Sequence, residues 1–170
     1  LKRYNLDEKE NLIVPTNWDA AEVLSAQNAD NRNIFTLIGN APQPFFVGNS
    51  EITAGHLNAS STDERNMIIN YIRGGEKISE SPDVYWRLGD IFHSSPLSIG
   101  TPNERFYDRW DQRSPKKAYN EFLEENIRTS LNGKRLMVVG ANDGQLHAFR
   151  TGELGDGGGR EMWSFIPPNQ

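Results

Sequence analysis

The strongest constraint on how this chain folds is the segment from Leu136 to Phe149. Leu136-Met137-Val138-Val139 and Gln145-Leu146-His147-Ala148-Phe149 are two runs of strand length, separated by Gly140-Ala141-Asn142-Asp143-Gly144. Asn, Asp and Gly tolerate positive φ, so such a loop closes two antiparallel strands with the twist a hairpin needs. A further run, Met162-Trp163-Ser164-Phe165-Ile166, follows the glycine-rich stretch Gly152 to Gly159 and is stopped by Pro167-Pro168. These strands have no evident closing partner in the sequence, which predicts an exposed β-edge and a piece of a larger sheet assembly.

Other elements are signalled upstream. Thr16 followed by Asp19, with Trp18, Ala21 and Leu24 at helical spacing, predicts a short helix near residues 17–26. Ile34-Phe35-Thr36-Leu37-Ile38 is β-branched and aromatic, and Gly39-Asn40 ends it, as expected of a strand and turn. Ser61 and Glu64 stand in capping-box register before Met67, Ile68, Tyr71 and Ile72, which predicts a helix with that apolar face, stopped at Gly74-Gly75. Asp90 to Ile99 reads as a strand interrupted near Pro96, suited to a sheet edge. Ser114 and Pro115 open a third helix, about 114–132, with Tyr119, Leu123, Ile127 and Leu131 as its stripe and Asn132-Gly133 as its end. The fold class expected is mixed and β-rich, with inserted helices.

Composition excludes several functions. Eighteen Lys and Arg against 23 Asp and Glu give a formal charge of -5, so there is no basic surface to hold a phosphate backbone, and nucleic acid is not an expected partner. No apolar run is long enough to span a bilayer. The chain has no cysteine, which removes disulfides, zinc-thiolate sites and thiol nucleophiles together. It opens on Leu1 rather than a start methionine, so the lack of a signal pattern carries no weight.

Arg87-Leu88-Gly89-Asp90-Ile91-Phe92-His93-Ser94-Ser95-Pro96, then Val139 to Phe149, then Trp163-Ser164-Phe165-Ile166-Pro167, resemble in order and spacing the C-terminal β-propeller domain of the PilY family, also called the neisserial PilC β-propeller domain. A weaker resemblance reaches back through Tyr71-Ile72-Arg73-Gly74 to Trp18-Asp19-Ala20. Arg150 departs from the pattern, which often has Asp there, and residues 153–160 form an extra glycine-rich insert. The resemblance implies the opening portion of a β-propeller, incomplete in this chain, with residues 1–85 leading into it and residues 86–170 supplying its first strands and hairpin. A propeller needs about four or more four-stranded blades, so its remainder is expected to be disordered, cleaved, deleted or present as another chain. The implied function is non-enzymatic: a part of a pilus biogenesis and adhesion protein, supporting type IV pilus assembly, retraction and surface attachment. The implied place is the outer-membrane surface or pilus tip after export, and the implied partners are pilin or minor pilin subunits and a host or abiotic surface. The family's calcium loop has no counterpart here; Gly155-Asp156-Gly157-Gly158-Gly159 offers one carboxylate where several oxygen ligands are needed. No cofactor is therefore assigned.

No catalytic, cofactor-binding or metal residues are assigned either. Asp90, His93, Ser94 and Ser95 carry the groups of a hydrolase, but neighbouring strand residues face opposite sides, and such triads are assembled from distant segments. The alternative is that they bond backbone groups at the entry to a blade. Gly140 to Gly144 lacks the following helix and the Lys-Ser/Thr pair of a phosphate loop. His56, His93 and His147 have no ligand spacing, and His147 is expected to be a structural histidine. Trp163 after Thr151-Gly152 also resembles the docking tryptophans of quinoprotein propellers, which leaves an oxidoreductase with a quinone cofactor as the alternative function. Asn58-Ala59-Ser60 fits a glycosylation sequon but is better explained by helix capping. Trp86, Phe106, Tyr107 and Trp110 make the middle segment aromatic, suiting either a core flap or an adhesive surface.

Overall fold

The computed structural model describes residues 1–75, 77–80, 83–103 and 118–168. Its main body is a six-stranded sheet in the order β4-β3-β10-β9-β8-β7. These strands are β3 (Ile34–Ile38), β4 (Ala41–Pro44), β7 (Leu97–Ile99), β8 (Leu136–Gly140), β9 (Leu146–Arg150) and β10 (Glu161–Ile166). β7 to β10 pair antiparallel in sequence order, a four-stranded meander, and β3 joins it parallel to β10. Two separate two-stranded ribbons pair β1 (Lys2–Leu6) with β2 (Leu12–Asp19) and β5 (Lys77–Glu80) with β6 (Asp83–Tyr85). Helices α1 (Ala20–Ala26), α2 (Thr62–Ile72) and α3 (Ala118–Glu125), with 3-10 turns at Ala29–Asn31, Gly55–Leu57 and Leu154–Asp156, complete the described elements.

The hairpin, the strand at 34–38 and the final strand form where the β-branched runs place them. Pro96 precedes β7, which lies at the sheet edge as a proline-flanked strand should. The expected strand is much shorter than Asp90 to Ile99, because His93 takes a left-handed φ of 58° and the chain before Leu97 is irregular. The first helix begins later than expected. Residues 12–19 are strand, and Asp19 rather than Thr16 is the N-cap, accepting from Ala21 N at 2.9 Å.

α2 follows its capping signals but not its expected face. Ser61 Oγ accepts from Glu64 N at 3.1 Å, and the Glu64 carboxylate accepts from Ser60 N at 2.7 Å. Met67 and Tyr71 are exposed, whereas Arg65 and Ile69 are buried. The cause is Arg65, whose guanidinium donates to the carbonyls of Val47, Asn49 and Ile52 and turns the 65/69/72 stripe inward. In the third helix, Ser114 and Pro115 lie outside the described residues; the helix ends at Glu125, leaving Ile127 and Leu131 exposed rather than on a helical stripe.

One face of the sheet is buried across four strands, while on the other Val138 and Ala148 are buried too. Ile34, Ser164, His147 and Val139 lie in register across β3, β10, β9 and β8, and all four are at most 2% exposed. Apolar packing flanks this row on two sides. Trp18, Ala20, Leu24, Leu88, Val139 and Phe149 form one cluster, and Ile34, Phe45, Ile52 and Ile69 the other. The opposite face has Phe35, Leu97 and Leu146 each more than a third exposed.

Candidate functional site: a buried ion network behind the hairpin

Between the two apolar clusters sits a row of charged groups. Strand alternation puts His147 of β9 and Ser164 of β10 on the same face of the sheet, opposite each other in register. Glu161, at the start of β10, meets His147 Nδ1 at 2.7 Å through Oε1 and takes a two-point contact from Arg32, at 2.7 Å from Nε and 2.9 Å from Nη2. All three side chains are fully buried. On its other side, His147 Nε2 lies 3.0 Å from Asp143 Oδ2 in the hairpin loop. Asp143 also accepts from Gly89 N at 2.8 Å and Gln145 N at 2.9 Å.

A carboxylate at each ring nitrogen favours the doubly protonated imidazolium of His147. Burial alone pulls its pKa down, but the hydrogen bonds to Asp143 and Glu161 outweigh burial and raise it above the ordinary value. Burial pushes Glu161 and Asp143 up; His147, joined by Arg32 for Glu161, outweighs this and holds both carboxyls below their ordinary range. The four groups therefore balance as two cations and two anions, the condition under which buried charges are tolerated.

Two more arginines extend the network into the backbone. Arg73 donates to the carbonyls of Phe45, Ala29, Asp30 and Arg32. Arg87 donates to Gly74 O at 2.7 Å and Ser25 O at 2.6 Å, and also to Gln27 O. These carbonyls belong to turns and helix ends, where backbone donors are scarce, and each guanidinium, with five N–H groups in a plane, supplies several of them at once; Ala29 O also accepts from Arg32 N at 3.3 Å. Gly89 makes a close approach possible: a Cβ there would lie 2.4 Å from Asp143 N. Asn142 N donates to Asp90 O at 2.9 Å in the same docking.

The network pairs no nucleophile with a free base among the described residues. An imidazolium fixed between two carboxylates has no lone pair to accept a proton, and Ser164 Oγ donates to Gln145 Oε1 at 2.8 Å instead of to His147. The residues weighed in sequence are also separated. Ser94 Oγ accepts from Gly140 N at 3.0 Å, Asp90 contributes its carbonyl, and His93 stacks edge-on against Phe92 at 3.9 Å. No hydrogen bond joins Asp90, His93 and Ser94 among the described residues. The Gly140–Gly144 loop is a hairpin turn, Asn58 sits in a left-handed turn before the α2 cap, and Trp163 is half-buried on β10. Of the aromatic segment, Trp86 is exposed, and Phe106, Tyr107 and Trp110 lie outside the described residues. No group of three or more acids or histidines among the described residues forms a metal site.

Sequence reasoning did not find Arg32, Arg65, Arg73, Arg87 or Glu161, because charged residues are ordinarily solvated. The available signal was position: Arg73-Gly74 and Arg87-Leu88-Gly89-Asp90 belong to the very segments that carry the family resemblance, as does Asp143 to His147. Those motifs encode one buried network.

No family profile matches the chain, and no solved structure matches it. Curated proteins do. The chain is 35% identical over 106 residues to a type IV pilus biogenesis factor PilY1 homolog of Xylella fastidiosa (strain Temecula1), covering 58% of this chain and 8% of that protein. It is 28% identical over 186 aligned residues to the type IV pilus biogenesis factor PilY1 of Pseudomonas aeruginosa (strain PAK), covering 98% of this chain and 15% of that protein. The chain is thus related to type IV pilus biogenesis factors. Its likeness among these is to PilY1 proteins, at modest identity, and the chain spans less than a sixth of the length of these relatives.

Proposed function

We propose that this chain is the opening part of the propeller domain of a PilY-type protein, non-enzymatic, which supports type IV pilus assembly and retraction and attachment to surfaces. The observation that carries the reading is the match to PilY1 along 98% of the chain. The β7-β8-β9-β10 meander supports the propeller component, since an up-and-down antiparallel sheet of four strands is the unit from which propellers are built. Its second face, with Phe35, Leu97 and Leu146 partly bare, suits packing by a neighbouring blade. In this reading residues 1–85 lead into the domain and lend β3 to the sheet, while residues 86–170 supply the first blade. The partners are the rest of the propeller, pilin or minor pilin subunits, and a host or abiotic surface. The place of action is the pilus tip or outer-membrane surface after export, and this chain is assigned no cofactor.

In-frame deletion of residues 86–168 from the parent gene in a piliated bacterium tests this. The expected result is loss of surface pili and of twitching motility with the cellular pilin pool unchanged. Normal piliation and motility with a stable truncated product would overturn the proposal.

A further inference from the structure

One cleft has chemistry that neither the ion network nor the pilus reading uses. It lies beside the β1–β2 ribbon, has a volume of about 460 Å³, and is lined by Lys2, Arg3 and Tyr4 on one side and by Ser130, Arg135 and Thr151 on the other. That volume falls in the range of small-ligand sites, about 300–1,000 Å³.

Two acids at the margin neutralise two of its cations. Lys2 pairs with Asp19 at 3.3 Å, and Arg3 Nη2 with Glu153 at 2.5 Å. Two donors remain. Arg3 Nη1 is buried without a hydrogen-bond partner among the described residues. Arg135 uses only Nε, 3.3 Å from Ser98 Oγ, and has no ion pair among the described residues. A buried N–H left without an acceptor is costly, and the planar guanidinium fork matches a carboxylate. The other walls are the hydroxyls of Ser98 and Ser130, that of Thr151, which donates to Arg135 O at 3.2 Å and keeps its acceptor side, and the ring of Tyr4, which is 37% exposed.

We propose that this cleft binds a carboxylate-bearing sugar, a uronic acid or a sialic acid residue. Arg135 and Arg3 Nη1 take the carboxylate, the Ser and Thr hydroxyls exchange hydrogen bonds with the sugar hydroxyls, and Tyr4 lies against the C–H face of the ring. A neutral sugar leaves Arg135 and the orphan donor without an anion. An aliphatic acid leaves the hydroxyls unmatched. The residues all belong to this chain, so the site does not depend on the pilus reading.

Titration of the purified protein with sodium glucuronate, glucose, a uronate oligomer and a dipeptide with a free C-terminus, followed calorimetrically, tests the site. Saturable glucuronate binding at least about tenfold tighter than glucose is expected, a ratio set by one charge-assisted pair. Arg135→Gln should lose about tenfold in glucuronate affinity with its thermal unfolding unchanged. Arg3→Lys, which keeps a charge for Glu153 but removes Nη1, should also weaken binding and serves if the first variant is unstable. An oligomer that binds more tightly than free glucuronate identifies a polysaccharide as the source; equal affinities identify the single sugar acid. Equal binding of glucuronate and glucose, unchanged affinity in both variants, or tighter binding of the dipeptide would overturn the proposal.

Discussion

Glu161 holds two buried cations, Arg32 at 2.7 Å and His147 at 2.7 Å, with no solvent to replace it. Removing one partner of a buried ion pair strands the other charges, so Glu161→Ala should destabilise the fold by about 3–5 kcal/mol, measured by urea denaturation. The same site fixes a pH dependence. His147 has a raised folded pKa, so its contribution is complete below the unfolded value of about 6.5 and disappears as pH rises through the folded value. Asp143 and Glu161 have lowered folded pKa values, so theirs are complete above about 4 to 4.5 and disappear as pH falls through the folded values. Stability should therefore be greatest between about pH 4.5 and 6.5 and decline on both sides. Denaturation midpoints measured across a buffer series from about pH 3 to 9 check this; a midpoint unchanged above about pH 6.5 would show that His147 is not an imidazolium in the fold.

Among elements, α2 shows what sequence can and cannot convey. Its ends were legible because a cap is local: Ser61 bonds Glu64 N three residues on, and Gly74 takes a φ of 72° just past the last turn. Ser61→Ala should accordingly cost about 1 kcal/mol of stability in thermal or urea unfolding, whereas Met67→Ala, on the exposed face, should cost little. Its buried face was not legible, since Arg65 counts as polar in any hydrophobic pattern and is buried only because Val47, Asn49 and Ile52 present carbonyls to it. The hairpin and the strands at 34–38 and 162–166 were legible from β-branched and turn residues. β4 was hidden by Pro42 and Pro44, β1 by its polar residues, and β2 by the proline at position 15 within an otherwise apolar start. Of the candidate site, Asp143 and His147 were visible as parts of a motif, but their joining to Arg32 and Glu161 is a long-range event with no local trace.

At the scale of the molecule, β10 is the strand that unites the sheet, paired parallel to β3 on one side and antiparallel to β9 on the other. It also carries Glu161 and Ser164 into the network. A protein truncated after Arg160 should therefore lose its fixed tertiary packing, seen as collapse of the near-ultraviolet circular dichroism, even though the β8–β9 hairpin is retained. Native-like dichroism in that truncation would mean that β3 and the hairpin are held together by other contacts.

The pairing of β3 with β10 joins Ile34 to Ser164, with nearly the whole chain made between them. During synthesis the N-terminal portion has its own helices and ribbon, and β3 can pair with β4, but the edge of β3 that meets β10 stays open until that strand emerges. Contacts of such long sequence separation form late and slowly. A nascent chain of this design stays pliable while it is being made, and its sheet locks only once β10 has been added.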